Sequence, residues 1–150
     1  MNHEGIRNHE GHEASTHSGR LRCETFLSEE EEWLIRRIIG CAISVHRALG
    51  PGFLESIYQR AMCIELKAKG LPFEAERPVR VVYRGVKIPG QRVDLIVGGL
   101  IVVELKAVSR FDRIHIGQVI SYLKTTDLRG GLLINFRVPL LIEGLKRIVL

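Results

Sequence analysis

Three charges interrupt the most apolar stretch of the chain. Between Val93 and Lys106 two apolar runs are joined by Gly98-Gly99; Asp94 lies in the first run, and Glu104 and Lys106 lie two residues apart in the second. Each run has the length of a buried strand and the glycine pair reads as a turn, so a β-hairpin is expected. Side chains alternate along a strand, which puts Glu104 and Lys106 on one face. An acid and a lysine so placed can simply neutralise each other at a sheet end. Asp94 changes the balance to two carboxylates against one ammonium. Carboxylates about 4 Å apart repel by roughly 4 kcal/mol at an effective dielectric near 20, so such a pair calls for a shared proton or a cation. Mg²⁺, held by one or two carboxylates with positions left for water and phosphate, is one answer.

Whether the acids can meet depends on the turn. A two-residue turn at Gly98-Gly99 would set Asp94 opposite Val103 and send Glu104 to the other face. A three-residue loop, Gly98 to Leu100, pairs Val97 with Ile101 and brings Asp94 and Glu104 together. Two adjacent glycines, each free to take positive φ, make that loop accessible.

The pattern Asp-x9-Glu-x-Lys on a hairpin resembles the PD-(D/E)XK nuclease superfamily, with Asp94, Glu104 and Lys106 on its signature positions. Gln118-Val-Ile-Ser-Tyr122 is similar to the Gln-xxx-Tyr motif of that superfamily's exonuclease-like branch, and Gly52-Phe-Leu-Glu55-Ser-Ile-Tyr58 resembles the motif of the GxxExxY protein family. The resemblance runs from about Leu34 to Leu150. It implies an α/β fold with a PD-(D/E)XK nuclease-like core, a mixed central β-sheet flanked by helices, and a metal-dependent nuclease. Asp94, Glu104 and the main-chain carbonyl of Leu105 would hold Mg²⁺, with Mn²⁺ as a substitute. Lys106 would position or deprotonate water or offset developing phosphate charge, Gln118 would orient water or Lys106, Tyr122 would contact phosphate or brace the site, and Glu55 would complete the acidic cluster. The implied partner is nucleic acid, DNA ahead of RNA, and so small a chain leaves room for a homodimer or a partner subunit. A non-catalytic nucleic-acid-binding or adaptor module on the same fold is the alternative.

Composition sets the outer limits. With 150 residues, 45% hydrophobic and 26% charged, the chain is expected to form one domain with a real core. No apolar run approaches the roughly 18 residues of a membrane helix, and no signal-peptide pattern opens the chain, so no membrane contact and a cytoplasmic location are expected. Cys23, Cys41 and Cys63 are odd in number and lack C-x-x-C spacing, which suits reduced thiols. The net charge of +5 lies in the body of the chain: the first 28 residues carry three Arg and four Glu, leaving 19 basic and 13 acidic residues beyond. A basic domain suits an anionic partner.

The elements that must position the charges follow. Met1 to Leu27 is polar and aperiodic and reads as a disordered tail; the spacing of His3, His9, His12 and His17 fits no zinc pattern. Ser28 and Glu31 form a capping box for a helix reaching Leu49, on whose apolar stripe His46 reads as a packed residue before a substrate contact. A second helix runs from Leu54 to Lys69, with Glu55 and Tyr58 on one side. Strands are expected at Arg77–Tyr83, Val86–Ile88, Arg92–Val97 and Leu100–Ala107, the last of them central. A third helix, capped between Ser109 and Asp112, runs to Thr126 with His115, Gln118 and Tyr122 on one face. Leu132–Phe136 should return parallel to the central strand by a right-handed crossover, and Lys146–Leu150 should lie at an edge. The expected order is α-α-β-β-β-α-β-β within a domain of residues 28–150.

Overall fold

The computed structural model describes residues 26–150. The expected tail, its histidines and Cys23 lie outside the described residues, except at Phe26, which is exposed, and Leu27. Leu27 is buried in the core over Gly130 and does not belong to a tail.

Helix α1 (Glu29–Leu49) starts at the expected capping box, Ser28 accepting from the Glu31 N–H and Glu31 from the Ser28 N–H. Its buried stripe of Leu34, Ile35, Ile38, Cys41, Ala42 and Val45 lies on the sheet. Gly50 turns the chain at positive φ into α2 (Glu55–Ala68). Then come β1 (Phe73–Pro78), β2 (Val81–Tyr83), β3 (Val86–Ile88), β4 (Arg92–Val97), β5 (Ile101–Lys106), α3 (Arg113–Thr126), β6 (Gly130–Asn135) and, after a 3-10 turn at Leu141–Gly144, β7 (Leu145–Val149). The main sheet has the order β1-β4-β5-β6-β7; β5 is its centre, and only the β5–β6 pair is parallel. One face carries α1 and α2, the other α3.

Five strands precede α3, against the four expected spans and the three of the expected order, and the expected strand Arg77–Tyr83 is divided. Pro78, lacking an N–H, ends β1, and the residues beyond it pair with β3 in a separate two-stranded ribbon. The missed first half of β1, Phe73–Glu76, is mostly exposed, so its sequence shows no buried alternation.

Candidate active site

The β4–β5 loop has three residues. Val97 pairs with Ile101 and Leu95 with Val103, and Gly98 and Gly99 both take positive φ. This is the register that places Asp94 and Glu104 across from each other, and the ladder ends just before them. On the other flank Glu76, opposite Asp94 in the β1–β4 register, is also unpaired and sits at φ 55°. Val93 and Ile96, three residues apart, both pack under α3, so the alternation of β4 is broken between them. The two distortions free Asp94 from ladder pairing.

Its carboxylate fills the gap. Asp94 Oδ2 accepts the Leu105 N–H at 2.9 Å. The Lys106 carbonyl is taken by Phe136 N on the β6 side, and main-chain groups alternate along a strand, so the Leu105 carbonyl faces Asp94 together with its N–H. Gln59 on α2 holds the Asp94 carbonyl at 3.4 Å and Glu76 at 2.8 Å.

Glu104 points under α3 and is 3% exposed. Lys106 Nζ donates to its Oε1 at 3.3 Å, while Oε2 is buried with no hydrogen-bond partner. A buried carboxylate oxygen normally has a donor, and leaving it without one costs about 1–3 kcal/mol or more. Burial pushes Glu104 up to about 7, with repulsion from Asp94 adding and Lys106 opposing. Burial likewise lifts Asp94 to about 6; the Leu105 N–H and Lys106 oppose, and Glu55 and Glu76 add repulsion. One ammonium does not neutralise two such acids.

From α3, Gln118 donates to the Tyr122 hydroxyl at 2.8 Å, and Gln91, just ahead of β4, donates to the same oxygen. Burial and then the Glu104 charge raise the Tyr122 pKa, which places the phenol within the electrostatic reach of the acids. Gln118 therefore serves Tyr122; it makes no bond to Lys106. Glu55, at the start of α2, reaches Asp94 through charge alone, and among the described residues no three His, Cys, Asp or Glu side chains gather as one metal-holding group. The expected acidic cluster is a pair with a third charge nearby. His46 is packed, its Nε2 2.8 Å from the Val138 carbonyl.

Three supporting residues carry little sequence signal. Gln91 sits in an exposed polar stretch and Glu76 on an exposed strand. Asn135 had a faint one, as the lone polar side chain at the end of an apolar run: buried, it accepts from the Val108 and Arg137 N–H groups and donates to the Val108 carbonyl, fixing the loop that leaves β5. Tyr58 is fully buried, stacked on Phe136 at 4.4 Å; its hydroxyl donates to the Gly50 carbonyl and accepts from Phe53 N, which holds the loop that presents Glu55.

A sequence-family model described as the PD-(D/E)XK nuclease superfamily matches residues 32–148. No curated protein and no solved structure matches the chain.

Proposed function

The chain belongs to the PD-(D/E)XK nuclease superfamily, and on that premise we propose that it is a metal-dependent nuclease hydrolysing phosphodiester bonds of nucleic acid at Asp94, Glu104 and Lys106. The observation that carries the reading is Glu104 Oε2, a buried carboxylate oxygen without a donor beside a second raised-pKa acid. Oxygen donors of this kind fit a hard divalent cation, Mg²⁺ or Mn²⁺, with Asp94, Glu104 and the Leu105 carbonyl as its holders. Such an ion, when bound, polarises the phosphate and makes bound water more acidic.

The chain's own groups do the rest. Glu104 holds the Lys106 ammonium, whose remaining protons donate to the attacking water and to the non-bridging phosphate oxygens as charge grows on them. Tyr122, with both glutamine amides donating to its oxygen, keeps its own O–H for a phosphate oxygen. Gln118 and Gln91 position that phenol. Glu55 draws cations toward the pair by charge. The Gly52, Glu55 and Tyr58 spacing suits the GxxExxY group within the superfamily, and the unbridged Cys41 and Cys63 suit the reducing cytoplasm. No helix among the described residues is long and apolar enough to cross a membrane.

The test incubates the purified chain with single- and double-stranded DNA and RNA in Mg²⁺, Mn²⁺ or EDTA, alongside Asp94→Ala. Cleavage in either cation, absent in EDTA and in Asp94→Ala, is expected, on DNA at least. Binding without cleavage under every condition would leave a binding module on the nuclease fold.

A further inference from the structure

The β2–β3 ribbon stands apart from the main sheet with all six of its strand residues exposed. Val81 pairs with Ile88 and Tyr83 with Val86, so these four side chains share one face, and Val82 and Lys87 share the other. The first face is wholly apolar and open to solvent, Tyr83 at 67% and Val86 at 65% exposure. An isolated two-stranded ribbon is marginal in water, and an uncovered apolar face on one marks a contact surface.

A groove of about 810 Å³ lies where the ribbon meets α3. Val79 and Val81 line one wall and Ile114 and Gly117 the other, and Gln91, Gln118 and Tyr122 belong to it too. Tyr122, held by Gln118 and Gln91 and within reach of the Glu104 charge, is thus also a wall of the groove, which sets the groove beside the proposed site.

Charge says what lies there. From Arg77 to Val93 the chain has five basic residues and no acid. Arg77 and Arg92 are paired to Glu74 and Glu76, and the ribbon's own Arg80, Arg84 and Lys87 are exposed with no ion pair among the described residues. Arg110 and Arg113 add charge at the start of α3. An apolar and aromatic face within a basic rim matches a strand whose bases are unpaired: ring faces lie on side chains while phosphates meet Arg and Lys. A blunt duplex hides its ring faces and offers the rim phosphates alone.

We infer that the groove and the ribbon's apolar face form a track for unpaired nucleotides, so that the substrate carries a single-stranded run beside the scissile phosphate. The inference rests on the nuclease reading and names the substrate class of the same site.

Fluorescence anisotropy in EDTA tests it without turnover, using labelled oligothymidylate and a blunt duplex of equal length. Oligothymidylate should bind more tightly than the duplex. Tyr83→Ala, which removes a stacking surface, and Gly117→Glu, which sets a carboxylate in the groove, should each weaken oligothymidylate about tenfold and the duplex by less than about twofold. Gly117→Glu should melt as the parent does, since an added Cβ there meets nothing within 4 Å, so that lost binding is not lost folding. Equal affinity for the two probes, or a Gly117→Glu variant that melts normally and binds oligothymidylate like the parent, overturns the inference. So does a parent that sediments as a dimer and a Tyr83→Ala variant that does not, because the face would then be a contact between copies. Groove-dependent binding of oligothymidylate with no cleavage in any cation leaves the track standing and removes the nuclease. Cleavage confined to blunt duplex does the reverse.

Discussion

At the scale of single residues, the Asp94 and Glu104 pair governs stability and, in the proposed function, chemistry. Lys106→Ala should lower cleavage by about a hundredfold or more, since it removes a donor aimed at developing charge, while leaving nucleic-acid affinity nearly intact. Asp94→Ala should lose Mg²⁺ binding as well; calorimetric titrations that match the parent would sink the metal assignment. Both acids release their protons at higher pH in the fold than in the unfolded chain, about 6 against 3.8 for Asp94 and about 7 against 4.5 for Glu104. Below about pH 3 both states keep the protons and the pair is harmless; as pH rises the unfolded chain ionises first, so stability falls through about pH 4 to 7 and stays low above. The loss is on the order of a few kcal/mol. Melting of the metal-free protein should follow that decline, and Mg²⁺ should raise Tm strongly near pH 8 and little near pH 5, where protons occupy the same oxygens. A flat pH profile with no Mg²⁺ response would mean the acids are not ionised together.

At the scale of elements, the hairpin turn decides which face the chemistry occupies. Gly98 and Gly99 have similar φ, 61° and 67°, but a Cβ on Gly98 would lie 2.8 Å from Leu34 Cδ1 and one on Gly99 would meet nothing. Gly99→Ala should therefore lose about 1 kcal/mol from backbone strain, and Gly98→Ala more, since buried Leu34 would have to shift. Denaturant unfolding with equal losses would contradict this packing. The three-residue loop was readable in advance because it lets Asp94 and Glu104 share a face, as a single β-bulge would also have done, and the three helices were readable from their caps and stripes. The divided strand was not. Arg77–Tyr83 alternates well enough to pass as one element, and Pro78 settles the matter only through the partner each half finds. Gln118 was legible by position on α3 but not by partner, because Gln91 reaches Tyr122 from a loop with no periodicity.

At the scale of the whole molecule, the core between the sheet and α1 and α2 starts earlier than composition suggests. Leu27 falls in a polar stretch, yet it packs near Ile101 over Gly130. Leu27→Ala should lose about 2–3 kcal/mol by leaving a cavity, whereas Phe26→Ala, at an exposed side chain, should shift Tm little. A single apolar residue within polar neighbours has no period to betray it, which is why sequence alone assigned it to the tail. The sheet's outer strands raise a separate matter of solubility. A straight, unpaired strand edge recruits strands from other molecules, and β1 is the long outer strand beside the site. Glu76, bent to φ 55° where it lets Asp94 leave the ladder, breaks the row of amides and carbonyls along that edge, and Glu74, Arg77 and Pro78 flank the break with charges and a missing donor. The bend that frees Asp94 thus also keeps one copy of the protein from adding its strand to the next, and a change that straightened β1 would disturb the acid pair and leave a molecule prone to aggregate.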